Sequence, residues 1–313
     1  MPDEAIRHRA PTVGLAADRE PAGLRQALVS GLVPRPLTRH VGPVPTFDAP
    51  PPRVKEWHDA RGRLVARSTT EGAFHWMDIA GVGTFRFPVT VPDDLRPQVA
   101  VAPHPGATPA DTEDFYLRTV MPIALQAYGL EALHASGVSF AGFGVVALCG
   151  RPTAGKSTLA FALAERGHAH VADDAVVFDP GSLRVLPLPT AARLRRRSAE
   201  HFGAPRKSQV FVSLAGWDEE AARPLPFGAA VFLERGADRL TLRRLDPRAA
   251  FNDLLAESYA FTMSDVDRKR ALLSSYMGLA SRLPVYRLSY PDGLEHLAEA
   301  CDAVAALAGG ERR

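Results

Sequence analysis

The stretch GVVALCGRPTAGKSTLAFALAERGHAHVADDAVV, residues 144–177, decides how this chain is read. Within it, GRPTAGKST (Gly150 to Thr158) has the spacing G-x-x-x-x-G-K-[ST] of a phosphate-binding P-loop, the Walker A pattern. Chemistry sets that spacing. A loop that wraps phosphate oxygens must turn several backbone N–H groups inward. Gly150 and Gly155 permit turns and close approaches that a Cβ would block. Thr153, Ala154 and Thr158 complete the cofactor-binding wrap. Lys156 brings positive charge to the terminal phosphates, Ser157 brings a hydroxyl ligand for Mg²⁺, and the helix that begins there adds its positive end. The flanks agree: the apolar strand VVALC precedes the loop, and residues 156–166 read as a helix stopped by Gly167.

Asp173 and Asp174 follow the short apolar segment HVA, where a strand is expected to run beside the loop strand. A nucleotide site needs a carboxylate to hold Mg²⁺. Phosphoryl transfer to an alcohol also gains from a carboxylate that takes the alcohol's proton. Two adjacent aspartates can divide those roles. Asp93-Asp94 has no such context and is given none.

Outward from this stretch, Val138–Phe140 and Gly144–Cys149 read as a hairpin joined by Ala141-Gly142-Phe143. Before it, a helix is expected from about Thr112, capped by Thr108 or Asp111 and bent or divided by Pro122, with Phe115, Val120, Ile123, Ala124 and Ala127 on its buried face. Residues 54–101 carry alternating, β-rich segments between glycine turns and predict a small antiparallel layer. The prolines of Val33 to Pro52 predict an extended arm. Downstream, a strand interrupted by Asp173-Asp174 leads to a turn at Asp179-Pro180-Gly181. AAVFLERGADRLTLRRL reads as a hairpin, DPRAAFNDLLAESY and SDVDRKRALLSSYMGLASRL as helices, LPVYRLSY as a strand and GLEHLAEACDAVAALA as a closing helix. The expected class is α/β, in three parts: a Pro-rich arm over 1–52, a β-rich part over 53–110 and a P-loop core over 111–313.

The 37 Lys plus Arg balance 35 Asp plus Glu, so bulk charge points to neither nucleic acid nor membrane. Residues 1–24 lack the apolar core of a signal peptide, and no apolar run reaches the ~18 residues of a membrane span. A cytoplasmic protein is expected. Cys149 and Cys301 lie far apart and form no metal-ligand cluster.

LHASGV (residues 133–138), taken with residues 144–177, closely resembles the catalytic core of bacterial HPr kinase/phosphorylase. It is more similar still to the shorter relatives associated with peptide natural products, including lasso-peptide kinases. The likeness is dense from Leu133 to Phe178 and faint through LPVYRLSYPDGLEHLAEA. It implies a variant P-loop core shared with ATP-dependent phosphoenolpyruvate carboxykinase, the cofactors ATP and Mg²⁺, and a peptide or protein partner bearing an acceptor serine. By the same resemblance His134 lies at the active site, Lys156 and Ser157 engage phosphates and Mg²⁺, Asp173 is the base toward the serine, and Asp174 is metal-associated. Lys207 stands where related kinases carry a basic residue, as an acceptor or phosphate contact. Pro152-Thr153 replaces the usual Ser-Gly of the HPr enzyme, and Thr158 replaces Glu. Those departures, with an N-terminal hundred residues unlike its regulatory domain, point away from HPr itself.

Other features read as ordinary. His168 and His170 read as a surface turn. RLRRRS (193–198) reads as a solvated face or as a grip for phosphates or an acidic acceptor. Trp57, Trp76 and Trp217 read as packing residues. Three functions stay in view: a serine kinase for a peptide or protein, a kinase for a small molecule such as an amino acid or sugar, and a non-catalytic nucleotide-binding regulator. A homo-oligomer is compatible with each.

Overall fold

The computed structural model describes residues 38–39, 55–59, 61–72, 74–89, 99–188, 193–203, 223–259 and 266–310. Most of the arm over 1–52, Asp93-Asp94, Lys207 and Trp217 lie outside them.

The first sheet holds β1 (Thr38–Arg39), β2 (Lys55–His58), β3 (Leu64–Glu71), β4 (Phe74–Ile79), β5 (Gly83–Pro88) and β6 (Ala100–Pro103), in the order β1-β6-β5-β4-β3-β2. β2 to β6 pair antiparallel, as their alternating patterns predict. β1 falls within the expected arm yet pairs parallel with β6, so part of the arm belongs to the sheet. One face of the sheet carries Met77, Ile79, Phe85, Phe87, Val99 and Val101 into a core. Phe85 and Phe87 are fully buried, each contributing about 2–3 kcal/mol by leaving water.

That core is closed by the helical segment 109–128. Helix α1 (Pro109–Phe115) starts at Thr108, whose hydroxyl accepts the Asp111 N–H at 3.1 Å. The chain then widens into a π-helical turn, Tyr116–Val120, in which the Met121 N–H reaches the Tyr116 carbonyl. It continues as α2 (Met121–Ala124). Pro122 accounts for the widening. It has no N–H to give, and its ring crowds the carbonyl four residues back, at Arg118. Val120, Ile123 and Ala124 are buried as expected, and the same core takes in Val177, Leu186 and Leu188. The expected boundary at 110/111 therefore runs through a continuous core.

The second sheet is mixed. It comprises β7 (Glu131–Leu133), β8 (Ala135–Phe140), β9 (Gly144–Cys149), β10 (Ala169–Ala172), β11 (Val176–Asp179), β12 (Arg184–Leu186), β13 (Leu225–Arg235), β14 (Thr241–Arg244) and β15 (Val285–Tyr290). β8 and β9 form the expected hairpin. β13 lies parallel to β9 on one side and to β15 on the other. β9 is apolar throughout because both its faces are covered. Val145, Ala147 and Cys149 face α5 (Pro247–Ala256) and α6 (Val266–Arg282). Val146 and Leu148 face α3 (Lys156–Glu165) and α7 (Leu297–Gly310). A short α4 (Arg196–His201) lies between.

Two local expectations fail. Residues 229–245 are not a hairpin, because β14 pairs antiparallel with β15 and β15 separates it from β13. The turn between β13 and β14 gave no clue that a strand more than forty residues later would insert there. Likewise β10 does not lie beside β9; it pairs with β8, which stands between them. The chain then leaves β10 for β11, which pairs with β7 and β12. Asp173 and Asp174 sit at that crossing. In the described residues no helix is long and apolar enough to cross a membrane.

Candidate functional site

β9 ends at Cys149, and the loop from Gly150 carries the chain into α3, so the strand–loop–helix order matches the expected pattern. The loop is tightly confined. Gly150 has φ 134°, and a Cβ there would stand 2.8 Å from the Leu233 carbonyl of β13. Gly155 has φ 101°, and a Cβ there would meet the Tyr290 hydroxyl at 2.9 Å. That hydroxyl, from the end of β15, donates to the Ala154 carbonyl at 2.8 Å and braces the loop. Thr153, where the HPr enzyme has glycine, still takes a left-handed φ of 77°. For a β-branched residue that conformation costs about 1–2 kcal/mol. Lys156 is buried, and its ammonium donates to the Gly150 carbonyl at 2.6 Å. Thr158 points elsewhere, sharing a 3.0 Å hydrogen bond with Ser198 of α4.

Asp173 is the hub. Its side chain is wholly buried. Oδ1 accepts the hydroxyls of Ser157 at 2.9 Å and Ser136 at 2.5 Å. Oδ2 accepts the Arg193 backbone N–H at 2.9 Å and, more loosely, the Arg118 guanidinium at 3.4 Å. A buried carboxylate is tolerable only with such a shell. Arg118 is itself buried on the π-helical turn. It donates to Asp174 Oδ2 at 3.0 Å and, through Nε, to Asp114 at 2.8 Å. The Arg193 side chain pairs with the same Asp114, tying the residue to α1.

Asp174 differs from its neighbour. About a third of its side chain (34%) is exposed, and its backbone is left-handed at φ 65°. Its carbonyl accepts the Tyr259 hydroxyl at 2.8 Å. His134 is half-buried beside it, and the His134 ring hydrogen-bonds the Asp174 backbone. Burial first, and then the Lys156 charge, hold the imidazole below its ordinary pKa against the pull of both aspartates, so it is neutral at pH 7. Glu257, whose carbonyl accepts the His134 N–H at 2.7 Å, is held above the usual carboxylate range by burial.

The expected roles of the two aspartates meet this geometry unequally. An acceptor hydroxyl has no open path to Asp173, whose oxygens are enclosed and already engaged. Asp174 is the carboxylate that solvent reaches. The structure brings His134, Lys156, Ser157, Asp173 and Asp174 together. It adds Arg118, Ser136, Tyr259 and Tyr290, which sequence reading did not single out, and Arg193, read there only as part of a basic cluster with a solvated face or a grip for phosphates or an acidic acceptor. Arg118 had one signal, a cation inside the apolar run YLRTVMPIA, and Ser136 another, a hydroxyl in a strand buried from end to end. His168 stacks on Phe140 with ring centroids 4.2 Å apart, a packing contact.

The Ser157 hydroxyl, fixed by buried Asp173, with the partly open Asp174 carboxylate next in the chain, suits Mg²⁺, which prefers a few protein oxygens plus phosphates and water to an all-protein cage. Among the described residues no cluster of three or more His, Cys, Asp or Glu could hold a metal by itself. At Gly150 and Gly155 the loop packs too closely against Leu233 and Tyr290 for a side chain, which fits the two glycines of the motif.

No protein-family model and no curated protein matches the chain. Among solved structures it is similar to the Hpr(Ser) kinase/phosphatase from Coxiella burnetii, at 12% identity over 58% of this chain and 90% of that one, with a TM-score of 0.26. A likeness that slight carries no weight for fold or chemistry.

Proposed function

We propose that the chain is an ATP-dependent kinase that phosphorylates a serine hydroxyl of a peptide or protein. The observation that carries this reading is the contact of Ser157 with Asp173 at 2.9 Å, beside the partly exposed Asp174. It sets a phosphate-loop hydroxyl, a buried carboxylate and an open carboxylate in one place. The sequence resemblance to HPr-kinase-like enzymes supports the choice of a kinase and of serine. The lasso-peptide relatives make a peptide precursor the favoured acceptor.

Ser157 would hold Mg²⁺, its hydroxyl oriented by the buried Asp173, with Asp174 at the ion's margin. When bound, the ion would neutralise charge on the transferring phosphoryl group. The loop amides and Lys156 hold the phosphates, which requires Lys156 to exchange its bond to Gly150 for one to phosphate. The acceptor oxygen forms its bond to the γ-phosphorus as the bond to the β–γ bridging oxygen breaks. The hydroxyl proton passes to Asp174, and ADP leaves. This assignment reverses the division implied by the resemblance, because Asp173 is sealed and Asp174 is not. Neutral His134 supports Asp174 rather than carrying charge itself.

The test is mass spectrometry of a library of serine, threonine and tyrosine peptides, with small hydroxy acids and sugars alongside, after incubation with ATP and Mg²⁺. A gain of one phosphate on serine peptides is expected. Phosphate on small alcohols alone would replace the acceptor class, and ATP binding with no transfer to anything would leave a nucleotide-binding regulator.

A further inference from the structure

Asp174 is one of three residues other than glycine with positive φ among the described residues, with Thr153 and Leu183. A left-handed aspartate costs of order 1 kcal/mol and persists only where its surroundings hold it. A glycine would make the same turn without strain, but without a carboxylate.

The restraints come from distant parts of the chain. The Tyr259 hydroxyl donates to the Asp174 carbonyl at 2.8 Å, and the Arg118 guanidinium donates to Oδ2 at 3.0 Å. Both holders are themselves held. The Tyr259 N–H donates to the Ala132 carbonyl at 3.1 Å, and its own carbonyl accepts the Gln126 amide at 2.7 Å. Arg118 is anchored by Asp114 and sits on the turn that Pro122 widens. Backbone and side chain of one strained residue are thus gripped from two sides, while the rest of its carboxylate faces outward.

We propose that Arg118 and Tyr259 form a clamp that keeps Asp174 in its left-handed turn and aims its carboxylate at the acceptor hydroxyl. Both are positioning residues, and the aiming half of the proposal rests on the kinase reading above. The clamp half does not, so two readouts separate them.

The first readout is the backbone chemical shifts of Asp174 by NMR, which report φ without any substrate. The left-handed signature is expected in the wild type and is expected to be lost or exchange-broadened in Tyr259→Phe, which removes a single hydroxyl. The second readout is phosphoryl transfer to serine peptides. Tyr259→Phe is expected to lower kcat about tenfold, the worth of one hydrogen bond made to the reacting geometry, with KM for ATP unchanged. Arg118→Lys keeps the charge but cannot span its three carboxylates, and is expected to lower kcat further. Tyr259→Phe alone decides the matter if that second variant fails to fold. Unchanged Asp174 shifts in Tyr259→Phe would overturn the clamp. Altered shifts with unchanged kcat would overturn its part in aiming. Altered shifts in Tyr259→Phe, together with a wild type that transfers no phosphate, would leave the clamp standing and remove the kinase reading.

Discussion

The first sheet partly buries Asp78, the end of β10 wholly buries Asp173, and the two are satisfied differently. In the first sheet Asp78 accepts Thr84 at 2.9 Å, His104 at 2.8 Å and Arg67 at 3.5 Å. Thr84 and Arg67 are its direct cross-strand partners on β5 and β3. That is a sheet neutralising a charge with its own neighbours. In the second sheet Asp173 draws on Ser136 of β8, Ser157 of the loop, Arg118 of the helical segment and the backbone of Arg193. Separate segments converge on one carboxylate, and next to it another is left open. Local satisfaction maintains a fold, whereas long-range convergence beside an open group builds a site.

Substitutions can break or sharpen that contrast. The largest effect is expected from Asp174→Asn, which should slow transfer about 10³-fold, within the range of general-base catalysis, while ATP affinity changes little. Asp173→Asn should act differently. It strips charge from a buried pair and should cost about 3 kcal/mol in denaturant unfolding, and weaken Mg²⁺-dependent ATP binding at least tenfold, as loss of a group orienting a metal ligand does. Asp78→Asn should cost about 2 kcal/mol of stability and leave ATP binding and transfer as they were. A matching loss of ATP binding there would erase the distinction between the sheets.

The first sheet also carries an acid-sensitive group. Burial pushes His75 down to about 4. Its imidazole, bonded to Thr70 at 2.9 Å, is neutral when folded. As pH falls below about 6.5 the unfolded chain takes up this proton first, so stability is present above that pH and drains away as pH drops toward 4. The full loss is about 3 kcal/mol at 1.36 kcal/mol per pKa unit. His75→Gln should flatten this part of the stability–pH curve. The smallest effect is expected from Thr153→Gly. Relief of the left-handed strain, less the greater freedom of an unfolded glycine, should raise stability by no more than about 1 kcal/mol.

What the sequence made legible follows the same division. The antiparallel layer, the β8–β9 hairpin, the loop and α3 are encoded by neighbours in the chain, in period-2 alternation, a turn and a glycine-spaced motif. The grouping of His134, Lys156 and Asp173-Asp174 was legible through a resemblance covering one contiguous stretch. Arg118, Tyr259 and the placing of β15 between β13 and β14 were not legible, because each depends on contacts between residues tens to more than a hundred positions apart. The different settings of the two aspartates were unreadable for a related reason: adjacent in sequence, they differ in burial and in backbone turn, which the β10-to-β11 crossing decides.

The central claim is that the open carboxylate performs chemistry while the buried one organises the site. Single-turnover transfer from ATP to a serine peptide, measured beside ATP affinity for Asp173→Asn and Asp174→Asn, tests it most directly. The account predicts that Asp174→Asn binds ATP like the wild type and fails to transfer, while Asp173→Asn binds ATP and Mg²⁺ poorly. Transfer at the wild-type rate by Asp174→Asn would contradict it.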